Sequence, residues 1–149
     1  MRHEERYCAF VDILGFQGII HRLSNGDISF QELRDVLNIV HAPPREDQIA
    51  SFGGSDLRAQ SISDAVCLSA ATTEAGLSHL FFSLEELSIN LLQRGYFVRG
   101  AVVKGNLYHD ERMVFGSALV EAFKLESEVA HFPRIMVMSD VAGDVWKYQ

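Results

Sequence analysis

Apolar and polar positions along the chain change period several times, and each change predicts an element. Tyr7–Leu14 (YCAFVDIL) is an apolar run broken by a single acid. It predicts a buried strand with Asp12 near its C-terminal end, and Gly15 allows a sharp exit. Phe16–Leu23 places Phe16, Ile19, Ile20 and Leu23 on one helical face. After the Asn25-Gly26-Asp27 turn, Ile28–Val40 resumes helical spacing, and Pro43-Pro44 stops it. Pro43–Arg58 is polar, contains Gly53-Gly54, and predicts a loop or irregular strand. Gln60–Ala70 predicts a strand or hairpin, again carrying one acid, Asp64. Thr73–Arg94 is the clearest helix: Leu77, Leu80, Phe81, Leu84, Leu87 and Leu91 form one stripe, and Gly95 stops it. Tyr96–Tyr108 predicts a strand, 109–112 a hairpin turn, and Met113–Phe115 the return strand. A helix over Ser117–Glu128, a strand over Phe132–Met138 and the start of a helix in Asp140–Gln149 complete the chain.

The order β-αα-ββ-α-ββ-α-β mixes alternation with hairpins, which disfavours a purely parallel sheet. It predicts an α+β fold with a ferredoxin-like (palm-type) mixed sheet and helices on one face. Composition narrows this further. With 149 residues, 48% of them hydrophobic, positions 1–149 fit a single domain. The formal charge of −7 disfavours a nucleic-acid groove, which needs a basic face. It leaves room for an anionic ligand held through metal ions. Two cysteines exclude a disulfide framework. The polar start at Met1–Arg6 and the lack of a long apolar run predict a cytoplasmic protein with no membrane partner. The six histidines show no H-x-x-x-H or Cys/His spacing, so a zinc site is not expected.

Asp12 and Asp64 carry the chemistry. Each interrupts an apolar strand, where a carboxylate is costly unless paired or bound to metal. If the strands are neighbours, both acids converge at one edge of the sheet. Such a pair suits two Mg²⁺ ions, which take oxygen ligands and share substrate phosphates. The turn Gly15-Phe16-Gln17-Gly18 opens a helix whose free N–H groups could receive a phosphate. Equally, these acids could cap turns or pair with arginines.

An ordered set of motifs resembles class III nucleotidyl cyclase catalytic domains. FVDILGF (Phe10–Phe16) is similar to the family's F-x-D-I-x-G-F start, and SDAV (Ser63–Val66) sits where the second metal-binding aspartate stands. VRGAVVKG (Val98–Gly105) is similar to its R-x-G-I-x-x-G strand. FGSALVEAFKLES (Phe115–Ser127) resembles its G-x-x-V-N-x-A-A-R-L-E helix, and FPRI (Phe132–Ile135) its final strand. Within the family, Leu125–Ile135 most resembles the bacterial pyrimidine cyclases of Pycsar antiphage defence.

The resemblance implies a lyase that turns a nucleoside triphosphate, UTP or CTP in that subfamily, into a 3′,5′-cyclic nucleotide and pyrophosphate. It implies two divalent cofactor ions, Mg²⁺ or Mn²⁺, on Asp12, Asp64 and the Ile13 carbonyl. It implies β- and γ-phosphate contacts from Gly15, Phe16 and Gln17, a phosphate-facing Arg99, and a homodimer whose sites span the interface. Three departures follow. Val120 and Lys124 stand where the family has Asn and Arg; valine cannot orient a ribose, and lysine neutralises charge without a bidentate fork. Gln60 and Met113 replace an adenine-reading Lys/Asp pair; the amide could read a pyrimidine edge or be simple strand surface. Family members usually continue past the final strand into a hairpin that supplies a phosphate-binding lysine; the sequence stops at Gln149, so either it is a fragment or the site is finished differently. An alternative is therefore a degenerate cyclase-like domain that binds nucleotide or a partner without turnover. A diguanylate-cyclase reading lacks its G-G-D/E-E-F turn. Gly53-Gly54-Ser55-Asp56 lacks the Lys-Ser/Thr of a P-loop, and is placed as a flexible loop near the nucleotide base.

Overall fold

The computed structural model describes residues 3–149; Met1 and Arg2, part of the polar start, lie outside the described residues. The fold is laid around β1 (Glu4–Ile13), whose side chains alternate between two covered faces. Tyr7, Ala9, Val11 and Ile13 point into the larger core, and Cys8 points into the smaller one. Strand β3 (Ala65–Ala71) pairs antiparallel with one edge of β1, and β4 (Val98–His109) pairs antiparallel with the other. β2 (Arg58–Ile62) lies outside β3. On the free edge of β4, β5 (Val114–Phe115) pairs antiparallel at Tyr108–His109, and β6 (Ile135–Val137) pairs parallel at 100–102. The sheet is therefore mixed, as the element order predicts.

Helices α1 (Phe16–Ser24), α2 (Phe30–Val40), α4 (Glu74–Leu92) and α6 (Ser139–Tyr148) supply the larger core. α5 (Ser117–Glu128) covers the opposite face, with Ala118 and Ala122 packed into the cluster of Cys8, Cys67, Val103 and Leu107. The expectation of helices on one face thus holds for four of them and needs this refinement for α5. The reason is local: small residues at 118 and 122 let this helix settle close to the sheet, and a Cβ at Gly105 would lie only 3.3 Å from Ala118.

The ends of the long helix follow from its sequence. Thr73 Oγ1 accepts the Gly76 N–H at 3.0 Å to start α4. Gly95 adopts φ 85° after its last turn, and the Tyr96 N–H returns to the Leu91 carbonyl at 2.9 Å. Two expectations need correction. The stretch read as loop from Pro43 to Arg58 contains α3 (Glu46–Ser51), too short to show a period between Pro43-Pro44 and Gly53-Gly54. Asp64 is not inside a strand; with Ser63 it forms the two-residue turn joining β2 and β3, where Ser63 takes φ 55°.

Candidate active site

The site forms at the C-terminal end of β1, on the face covered by α5. Antiparallel register sets Asp12 opposite Arg99 on one side and opposite Ala65, beside Asp64, on the other. One expectation is met directly: the two acids stand on neighbouring strand ends. Arg99 Nε donates to Asp12 Oδ1 at 3.2 Å, and lies 2.6 Å from Glu126 Oε1 at the end of α5. Glu126 is 2% exposed. Its part in this cluster was missed in the sequence, where it read as one more motif position on a helix.

Electrostatics show how crowded the cluster is. Burial pushes the Asp12 carboxyl up to about 7, Glu126 adds to the rise, and Arg99 opposes it. Burial likewise pushes Asp64 up, and the Asp12 charge pushes it further, while its own N–H and that of Ile13 pull it down. Glu126 thus raises Asp12 and Asp12 raises Asp64, so three acids crowd one guanidinium and their charge is costly until a further cation joins them. Hard oxygen donors in that state suit a divalent cation such as Mg²⁺ or Mn²⁺ shared with substrate oxygens. Among the described residues, no group of three or more His, Cys, Asp or Glu side chains is arranged to hold a metal by itself.

Ile13 ends β1 with its side chain in the larger core. The chain then turns at Gly15, which takes φ 75°, and enters α1. Phe16 packs on the larger core, whereas Gly15 and Gln17 are exposed. No side chain caps the start of α1, and no acid occupies its first turn. Its first N–H groups are therefore left without a side-chain partner, three residues along the chain from Asp12, an arrangement that favours an anion. Gln60 lies opposite Cys67 on β2, on the same face of the sheet as Asp12.

Two expected site residues do not join this cluster within one chain. Met113 is 50% exposed beside the β4–β5 turn, at the far end of β4 from Arg99. Ten residues of strand separate position 99 from 109, roughly 30 Å. Lys124 is exposed on α5; two residues from Glu126, it sits about 200° around the helix and faces away from the ion pair. The Gly53-Gly54-Ser55-Asp56 loop is also remote from the aspartates. Asp56 accepts from Arg6 Nη1 at 2.6 Å, six residues before Asp12 on β1, so roughly 20 Å from it. Through Asp56 the loop serves a buried polar network. In that network Arg6 is fully buried and donates to Ser69 Oγ at 3.1 Å, and Ser69 shares a 2.6 Å hydrogen bond with His109 Nδ1.

Cys8 and Cys67 are buried free thiols with sulfurs 3.7 Å apart under α5, in line with the structural role expected for Cys67. A cavity of about 350 Å³ opens between α2, α4 and the sheet, lined by Leu57, Val66, Leu68, Leu87 and Asn90. It lies on the sheet face opposite the acids.

No family model matches the chain, and no curated protein matches it by sequence. Solved structures do. The catalytic core of a rhodopsin-guanylyl cyclase with converted specificity, in complex with ATPαS, is 14% identical with a TM-score of 0.67, over 96% of this chain and 82% of that one. The dimeric guanylyl cyclase domain of the RhoGC fusion protein from the aquatic fungus Blastocladiella emersonii is 13% identical with a TM-score of 0.69, over 97% and 85%. An adenylate/guanylate cyclase/hydrolase from Silicibacter pomeroyi is 19% identical with a TM-score of 0.60, over 97% and 82%. The chain thus has the fold of adenylyl and guanylyl cyclase catalytic domains. Among the described residues, no helix is long and apolar enough to cross a membrane.

Proposed function

We propose that this chain is a nucleotide cyclase, acting on a nucleoside triphosphate with two divalent ions. The observation that carries this reading is the convergence of Asp12, Asp64 and Arg99 beside the uncapped start of α1. Divalent ions, when bound there, lower the pKa of a ribose hydroxyl and neutralise phosphate charge. Asp12, Asp64 and the Ile13 carbonyl would hold them. The N–H groups of Gly15–Gln17 receive the terminal phosphates, and Arg99 offers a planar donor to the same charge. The 3′-oxygen attacks the α-phosphorus, the bond to the bridging oxygen breaks, and pyrophosphate leaves.

Lys124 faces away from its own chain's acids, which supports a homodimer in which it serves the partner's site. Val120 and Phe123 flank it on α5 and are 58% and 53% exposed, an apolar surface suited to being covered. The substrate we infer is a pyrimidine, UTP or CTP. An uncharged Gln60 on the site face supports this, as does the resemblance of Leu125–Ile135 to the cyclases of antiphage defence, where the product is a signal. The test is incubation with each of the four triphosphates and Mn²⁺, with products resolved by mass. Cyclic UMP or CMP with pyrophosphate is expected; no cyclic nucleotide from any substrate sinks the reading.

One observation favours a second reading. Val120 is an exposed apolar residue where the resemblance expects a ribose-orienting Asn. On that reading the domain binds nucleotide without turnover, and calorimetry would record binding where the product assay records nothing.

A further inference from the structure

Arg99 is shared between two acids that need it for different reasons. Its Nε hydrogen-bonds Asp12 Oδ1 at 3.2 Å. Glu126 Oε1 is nearer, at 2.6 Å, but lies off the hydrogen-bond axis, and the Glu126 carboxyl also stands within hydrogen-bond reach of Asp12. Three elements deliver the groups: β1 and β4 set Asp12 and Arg99 in direct register, and the last turn of α5 lowers Glu126 onto them. A carboxylate only 2% exposed is tolerable when paired, and Arg99 is its cation here. Arg99 occupies only Asp12 Oδ1, but a guanidinium left at contact distance from a bound divalent cation repels it and weakens its hold on the carboxylate.

We propose that Glu126 is a positioning residue of the cation site: it draws Arg99 off Asp12, which releases that carboxylate to a divalent ion and keeps the guanidinium anchored at the site. This rests on the metal reading above. It gives a role to a residue that neither the charge count nor the motif set singles out. A single N–H poised between two acceptors is a two-position device. Without a cation Arg99 bridges both acids; with one, the buried Glu126 retains it.

The test is a double-mutant cycle read on Mn²⁺ affinity, measured by paramagnetic resonance of the free ion without nucleotide. Glu126→Gln in the otherwise native chain should weaken Mn²⁺ binding roughly tenfold, since Arg99 then stays on Asp12. In the Arg99→Gln background the same change should cost less than about threefold, because no competitor remains. Equal losses in both backgrounds would mean that Glu126 acts only through its field, and would overturn the proposal. So would unchanged affinity in Glu126→Gln alone. A native chain that binds no Mn²⁺ overturns the metal reading first, and this inference with it. If the glutamine variant does not fold, Glu126→Asp enters the same cycle; it keeps the charge, shortens the reach, and should show a smaller loss with the same dependence on Arg99.

Discussion

His109 shows how one buried side chain ties stability to pH. It sits at the end of β4 with Arg6, Arg58, Asp56 and Asp110 around it. Burial and the two arginines push its pKa down to about 4. The unfolded chain therefore binds this proton at a higher pH than the folded one. The stability His109 contributes is complete above about pH 6.5 and is lost as pH falls toward 4, by about 3 kcal/mol at most. Asp12 and Asp64, raised rather than lowered, work in the opposite direction, so the native chain alone would blur the effect. Urea unfolding of the native chain and of His109→Gln should give a stability difference that shrinks across that window. A constant difference would show that the imidazole does not titrate there. At this scale the sequence was half legible. Asp12 and Asp64 stood out as acids interrupting apolar runs, and Arg99 through the resemblance alone. Arg6 and Glu126 did not, because nothing in a sequence tells a buried ion pair from a solvated one until a second element covers it.

Elements were most legible where a period ran long, and least where a turn or a short helix intervened. The nineteen residues of α4 announced themselves, whereas the six of α3 did not. A hairpin over Gln60–Ala70 was one of two readings, but its turn was not placed at Ser63-Asp64, because Ser63 takes a positive φ that Gly or Asn adopts more readily. His41 Nε2 donates to the Ser63 carbonyl at 2.6 Å, a contact between the end of α2 and this turn that no local pattern encodes. Glycines separate the two regimes experimentally. A Cβ at Gly100 would lie 2.5 Å from the Phe10 carbonyl oxygen and 2.8 Å from Val11 Cγ2, between two central strands. Gly100→Ala should cost about 1–3 kcal/mol in a urea melt, as overpacking between strands does. Gly18 in α1 has nothing within 4 Å of such an atom, and Gly18→Ala should gain about 0.5–1 kcal/mol from helix propensity. Equal effects at both positions would contradict the strand packing described here.

For the whole molecule, the informative geometry is that α5 carries Glu126 inward and Lys124 outward. On the proposed function each chain then holds parts of two sites, and inactive chains with faults in different parts should complement. Asp12→Asn and Lys124→Ala should each be nearly inactive alone. Mixed in equal amounts and allowed to exchange partners, they should recover about a quarter of native activity, since half the dimers are mixed and each has one intact site. No recovery would place Lys124 in its own chain's site or outside catalysis. In the sequence this division was only what the resemblance implies, because no pattern could say which way α5 turned. A last consequence comes from the alternation along β1. Deleting or inserting one residue between Tyr7 and Asp12 would send the acid toward the apolar core and bring Val11 out to the site. The number of residues between Tyr7 and Asp12 thus decides which face of the sheet the acid reaches, quite apart from which side chains fill the strand between them.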